Sequence, residues 1–394
     1  MLITKNLIKN SQKPINKDFC EFKIQIPMNK LSFFIIFISI GLLSGCSQKE
    51  NRADSPIIDF GESINSIKAS QLIKIENSVK LETKDECLIG HIDHACVYDR
   101  HIYILDSWIS KSLFVFNDEG KYITKISAAS GGEGEFLIPY NFEIDKENNT
   151  LLLNDIAQNK LLFYDIKDFK YIKSINYKEK YNAICKLTNK DLYIGYKPMR
   201  NIHENNNTQI DILDSDLNKQ KGLIKADPRT SILSGKVFNF YNTKQGVVVF
   251  PFFSNKLYNI TADTAMVRYE LRFGEYDFPP NDFFSSKQYE PIPIFQQLEK
   301  EEFIQNIYPY ETTDYLLVKY DVKKNNFMAI HNKHTKKSIN IAYNNIINDL
   351  NISNFPIPIF NEGENITGYI DASNIDSTIK KGDNPILITF KIII

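Results

Sequence analysis

Residues 113–126 read LFVFNDEGKYITKI. A short apolar run ends in an aromatic, a polar turn follows, and then a segment in which apolar and polar residues alternate. Alternation with period two is the pattern of a strand with one buried face. The turn Asn-Asp-Glu-Gly carries the residue types that tolerate the φ values a tight hairpin needs. The same arrangement returns as LLFYDIKDFKYIKSI (161–175), TQIDILDSDLNKQKGLI (208–224), LYNITADTAMVRYEL (257–271) and FMAIHNKHTKKSINI (327–341). The turn residues Asn117, Asp165, Asp214 and Thr261 are 48, 49 and 47 residues apart, and His331 follows after 70. A period of about 40–50 residues with several strands per unit is the mark of a β-propeller.

Around these hairpins each unit reads as four strands. In the first unit these are 95–98, 102–106, 113–116 and 122–126, and the later units span 141–175, 183–224, 237–273 and 304–341. The second strands (IYILD, LLLND, DLYIGY, GVVVFPF, DYLLVKY) are almost continuously apolar, as expected of strands buried on both faces between neighbouring blades. Two remnants complete a sixth unit. Residues 355–369 and 385–394 lie at the C-terminal end, and residues 70–81 lie near the other. Joined, they predict an all-β, six-bladed β-propeller closed by strands from both chain ends, which removes free sheet edges. The terminal ITFKIII needs such burial, because as a free tail it invites aggregation.

The chain has 394 residues, 43% of them hydrophobic, with 47 basic and 48 acidic side chains and a net charge of −1. That balance argues against a nucleic-acid partner, which requires a basic field. Residues 31–43 (LSFFIIFISIGLL) form an uncharged apolar run after Lys30. It is short for a membrane span and right for a signal-peptide core. It leads into Leu-Ser-Gly-Cys46, which resembles the lipobox of bacterial lipoproteins, where the cysteine takes a diacylglycerol and becomes the new N-terminus. The expected organisation is therefore a leader over 1–45, with Met28 an alternative start, then lipidated Cys46 and a flexible tether over 46–69, and a propeller over 70–394. A membrane anchor through lipid follows, placing the protein in the cell envelope, at the outer membrane. Of five cysteines, Cys87, Cys96 and Cys185 would remain. An odd number argues against a disulfide framework, and buried free thiols are expected, a Cys87–Cys96 bridge being the alternative.

The period breaks once. Residues 275–303 (with FPPNDFF, EPIPIF and QQLEKEEF) insert between the fourth and fifth units. In a propeller the blade-to-blade connections and the loops joining second and third strands share one face, so this insertion is expected over that face, beside the central channel.

Four stretches carry a family resemblance: LETKDECLIGHID (81–93), IYILDS with LFVFNDEGKYITKI, GGEGEF (131–136) and GDNPILITFKI (382–392). They resemble the six-bladed β-propeller lipoproteins of Gram-negative bacteria, relatives of the NHL-repeat propellers. Ser130 and Glu133 depart from that pattern, where Gly and Pro are common. The resemblance implies fold and location more than chemistry, since the family has no single activity.

Candidate chemistry gathers at the channel mouth. His91-Ile-Asp93-His94, with His101 nearby, is the tightest polar cluster, but it lacks the third and fourth ligands of a metal site, and no metal or cofactor is expected. The loop GGEGEF lacks the lysine and following helix of a phosphate loop and reads as a glycine turn. Trp108, Arg200 and Phe253 fall in loops between second and third strands. Tyr140, Tyr181 and Lys236 fall in segments leading into blades two, three and four. With His91 and Asp93 these residues form the expected ligand-binding set, because exposed aromatics with a few polar anchors are how concave sites grip sugars or peptides. His331 and His334 read as exposed turn residues. The expected function is a ligand-binding or protein-interaction module of the envelope, its partner a glycan, a peptide or an envelope protein. The alternative is a lyase or hydrolase of the NHL-like type.

Overall fold

The computed structural model describes residues 56–128, 133–187, 190–197, 207–227, 240–243, 246–281, 283, 298, 300–370 and 382–394. Three strands come first: β1 (Ile57–Asp59), β2 (Ile67–Lys68) and β3 (Ile73–Lys80). Blade one follows as β4 (His94–Tyr98), β5 (His101–Asp106), β6 (Ser112–Asn117) and β7 (Tyr122–Ser127), and blade two as β8 (Pro139–Asp145), β9 (Thr150–Asp155), β10 (Lys160–Asp165) and β11 (Tyr171–Asn176). Blade three is β12 (Ala183–Leu187), β13 (Leu192–Tyr196), β14 (Thr208–Leu213) and β15 (Lys219–Lys225). Blade four is β16 (Phe240–Thr243), β17 (Gly246–Val249), β18 (Lys256–Ile260) and β19 (Ala265–Arg272). Blade five is β20 (Ile304–Glu311), β21 (Tyr315–Val322), β22 (Asn325–Asn332) and β23 (Ser338–Ala342), after which a short β24 (Ile346–Ile347) precedes blade six, β25 (Ile357–Glu362), β26 (Asn365–Ile370) and β27 (Ile386–Ile392). The predicted closure is observed: β3 is the fourth strand of blade six, antiparallel to β27, with Ile73 opposite Ile392 and Lys80 opposite Ile386. The protein is an all-β, six-bladed propeller.

Each hairpin in the repeat is built the same way. The side chains of Asn117, Asp165, Asp214, Thr261 and Asn332 each accept the backbone N–H two residues on, at 2.7–3.3 Å. Such a side-chain acceptor mimics a backbone turn and satisfies a donor the ladder cannot. The fifth turn residue is therefore Asn332 and not His331. His331 is 7% exposed in β22, its Nδ1 sharing a hydrogen bond with Ser338 Oγ, so it is not the surface residue its turn-like sequence suggests. His334 does lie in the turn, exposed, beside Asp314. At Gly120 the backbone is left-handed (φ +81°) and a Cβ would sit 2.3 Å from the Lys80 carbonyl. Only glycine fits where blade one's turn abuts the closing strand.

The second and third strands are buried along nearly their whole length, while an outer strand such as β7 alternates between half-buried and exposed. Six apolar clusters result, one in each wedge between adjacent blades. For example, Tyr103, Leu105, Phe142 and Leu153 join blades one and two, and Val248, Leu257, Leu316 and Val318 join blades four and five. Stability is thus distributed around the ring.

The stretch expected as tether is ordered sheet from Ile57 onward. β1 adds to blade four as a fifth strand, parallel to β19, with Ile57 opposite Glu270 and Asp59 opposite Arg272. The cause is apolar: Ile58 and Phe60 are 4% and 2% exposed, and Phe60 stacks on Phe273 with ring centroids 5.2 Å apart. The chain then crosses to blade five, where Ile64 N–H donates to Asn340 O and Asn340 Nδ2 donates to Gly61 O. β2 pairs with β24 in parallel, and β3 enters blade six. This strap covers the outer edges of blades four and five. The outer strands of blades one to three carry lysines (YITKIS, YIKSIN, KQKGLIK) and register breaks instead, two devices that discourage edge-to-edge pairing.

A buried ion cluster ties blade four to blade five on the face opposite the blade-to-blade connections. Glu311, its side chain 4% exposed, accepts from Arg268 Nε and Nη2 at 2.9 and 2.8 Å, from Lys333 Nζ at 2.9 Å, and from the Tyr241 and Tyr269 hydroxyls at 2.7 and 3.1 Å. Burial alone would raise its pKa. The hydrogen bonds from Arg268 and Lys333 outweigh burial and hold it down at about 2.

Candidate functional site

The blade-to-blade connections and the loops after each second strand share the upper face of the ring. On that face, blade one carries a mouth organised by one carboxylate. Asp106, at the end of β5, is fully buried. Its Oδ2 accepts the N–H groups of Gly90, His91 and Ser110 at 2.9, 3.2 and 3.1 Å, and its Oδ1 accepts that of Ile109 at 2.9 Å. A single anion thereby fixes both the segment leading into the blade and the loop between β5 and β6. The second strand of blade two ends in the same way. Asp155 accepts from the N–H groups of Leu137, Ile138 and Ala157 and from Gln158 Nε2. The shared Asp in IYILD and LLLND is the sequence signal of this staple.

On this frame stand four of the expected site residues. His91 Nδ1 donates to Asp93 Oδ1 at 2.7 Å, and Asp93 Oδ2 accepts the Ser107 N–H at 2.7 Å. The Asp93 side chain is 5% exposed and that of His91 59%. A buried carboxylate thus fixes the orientation of an exposed imidazole. Trp108 follows Ser107 and is 48% exposed, and its ring meets that of Tyr140 edge-on, at 6.4 Å and 85°. Burial, with the charge of Asp93 adding to it and a hydrogen bond to Asn182 opposing it, pushes the Tyr140 phenol up to about 12. Ile109, 68% exposed, extends the apolar surface and lies against Gly90, where any Cβ would collide with it.

His94 and His101 do not join. His94 is half-buried against Phe142, ring centroids 4.5 Å apart, and burial drives its pKa down to about 3 despite the neighbouring Asp93. It is a neutral packing residue. His101 starts β5 at the opposite face, its Nδ1 on the Asp99 carbonyl. Among the described residues no group of three or more His, Cys, Asp or Glu is placed to hold a metal ion.

Two expected aromatics are core rather than mouth. Tyr181, 2% exposed, covers Gly195 and donates its hydroxyl to buried Asp211 at 3.0 Å. Lys197 caps that ring at 5.6 Å and pairs with Asp211 and Glu179. Phe253, also 2% exposed, packs on Phe252 at 4.3 Å in the wedge between blades four and five, where Phe278 and Leu298 of the insertion are also buried. Both aromatics fill wedges because partners far away in sequence surround them. Arg200, Lys236 and Cys46 lie outside the described residues, as does most of the insertion. In the GGEGEF loop, Gly134 has φ +73° and Phe136 is fully buried between blades one and two, as a glycine turn between blades requires. A shallow hollow of about 690 Å3 lies away from the mouth, on the outer strand of blade two, between Lys160, Tyr171 and Lys173. Cys87, Cys96 and Cys185 are free thiols.

Sheet order and closure define the class: a six-bladed propeller whose last blade is closed by strands from both ends of the described chain. The model of the DUF5128 family, described as a 6-bladed beta-propeller, matches residues 47–367, and the chain belongs to that family. Its fold resembles the crystal structure of a protein of Bacteroides fragilis NCTC 9343 described as exported, at 19% identity and a TM-score of 0.77, covering 86% of this chain and 100% of the other. It also resembles a member of the DUF4221 family from Bacteroides vulgatus ATCC 8482, at 11% identity and a TM-score of 0.56, covering 84% and 99%. No curated protein matches the chain. Among the described residues, no helix is long and apolar enough to cross a membrane.

Proposed function

We propose that this protein is a lipid-anchored propeller of the cell envelope, held at the outer membrane through Cys46, and that it binds a ligand at the blade-one mouth. The observation that carries the binding reading is the cluster itself: His91 pairs with Asp93, Asp93 holds the Ser107 N–H beside Trp108, and the half-exposed indole meets Tyr140 edge-on. The apolar run at 31–43, the cysteine after it and the likeness to a protein described as exported support the location. Kinship with the NHL-repeat propellers belongs to the same reading and rests on the blade-one and closing-strand motifs.

Two measurements test it. Labelling of cells with a radioactive lipid precursor should mark the wild-type chain and not Cys46→Ala, and equal labelling of both refutes the anchor. Trp108 is the only tryptophan of the chain, so its emission reports on the mouth. A ligand that binds there must shift that emission saturably, and one that binds without moving it is bound elsewhere. A second reading, a hydrolase or lyase, draws on the His91–Asp93 pair, since a carboxylate-held imidazole is suited to proton transfer. Turnover that survives His91→Ala excludes that role.

A further inference from the structure

We infer that the ligand of the blade-one mouth is a neutral saccharide, stacked on Trp108 and hydrogen-bonded through His91. This rests on the binding reading above and names its ligand class. The first argument is shape. Trp108 is nearly half exposed, and Tyr140 braces its ring edge-on. A planar, braced aromatic costs little conformational entropy to use, and an indole face suits the C–H face of a pyranose. Ile109 continues the apolar surface at 68% exposure.

The second argument is charge. Among the described residues, the two carboxylates of the blade-one loops, Asp93 and Asp106, already hold hydrogen-bond partners. Asp106 is enclosed by four backbone N–H groups, and Asp93 is covered by the His91 imidazole and the Ser107 N–H. A cationic peptide would need a carboxylate to face it, yet the Asp93 side chain is 5% exposed. What faces outward is an imidazole and an apolar aromatic face. That pairing of a flat apolar surface with an oriented hydrogen-bonding group matches a polyol with one apolar face. The third argument is rigidity. The staple at Asp106 and the Asp93 bridge hold the His91 and Trp108 segments on the same frame, so the two contacts are preorganised.

The test is titration of the full mature chain with neutral hexasaccharides (β-1,4-glucan, α-1,4-glucan and α-1,6-mannan) and, in parallel, with pentalysine and an uncharged Ala-Gly-Ser peptide. Trp108 emission and calorimetry are read together. At least one saccharide should shift Trp108 emission saturably. Trp108→Ala should weaken that binding by about tenfold, the scale of one lost aromatic contact. Trp108→Phe should recover part of the loss, and His91→Ala should weaken binding with thermal unfolding unchanged. If a peptide shifts Trp108 and no saccharide does, the mouth is a binding site and the saccharide inference is wrong. If none of the five probes moves Trp108, the binding reading and this inference fall together.

Discussion

The buried cluster at Glu311 makes a quantitative prediction about acid stability. Glu311→Gln keeps the side-chain shape but cannot ionise, leaving Arg268 and Lys333 without their shared anion. In the folded protein the carboxyl has a pKa of about 2 against an ordinary 4.5. At about 1.4 kcal/mol per pH unit, that separation amounts to roughly 3 kcal/mol of folding free energy. The sign follows from the direction. The folded pKa is depressed, so the stabilisation is fully present above pH 4.5 and is lost as pH falls toward 2. Urea unfolding followed by circular dichroism, at fixed ionic strength, should show the variant less stable by about 3 kcal/mol at pH 6. At pH 2.5 the difference should shrink below about 1 kcal/mol, because the wild-type carboxyl is then close to protonation. Every other titrating group is common to both proteins and cancels. A gap as wide at pH 2.5 as at pH 6 would show that Glu311 stabilises by packing and not by charge.

Three further expectations follow from the strap, the staple and the closing strand. Phe60→Ala removes a 2% exposed ring stacked on Phe273 and should cost about 3–5 kcal/mol; an unchanged midpoint in chemical unfolding would mean the strap contributes nothing to the ring. Asp106→Ala removes the acceptor shared by four backbone N–H groups and should cost about 1–3 kcal/mol while shifting Trp108 emission. Asp155→Ala, the equivalent change in blade two, should destabilise without moving Trp108, and matching spectra from the two variants would contradict the local role of Asp106. Gly120→Ala places a Cβ 2.3 Å from the Lys80 carbonyl at a left-handed φ and should lower stability by about 1–3 kcal/mol, read from the thermal midpoint.

The parts of this fold that could be read from sequence are those fixed by neighbours along the chain. Alternation identifies β7 and β11, continuous apolar runs identify β5 and β9, and the Asn, Asp or Thr opening each hairpin is a local device that acts two residues away. Closure by β3 was also legible, because an apolar C-terminal strand demands a partner. What stayed hidden depends on distance. Tyr181 and Phe253 look like mouth aromatics until Asp211 and the blade-four wedge enclose them. Ile58 and Phe60 sit in a segment too short to announce a strand, and their burial is set by Leu271 and Phe273, more than two hundred residues away. Of the candidate site, the His91–Asp93 pairing and the position of Trp108 were visible as spacing, but Asp106, which holds them, read only as the end of a strand.

The strap and the closing strand also order events during folding. β1, β2 and β3 are made before any blade, yet β1 waits for β19, β2 for β24 and β3 for β27, the last strand of the chain. Blades one to five can each assemble from contiguous sequence, whereas blade six and the fifth strand of blade four depend on pairings of very long sequence separation, which are slow to form. Until residues 386–392 are available, Ile73 and Ile75 stand on an unpaired edge, as does the edge of β19 until β1 docks. The vulnerable species is therefore an open horseshoe with two bare rims, and the final seven-residue strand acts as its clasp.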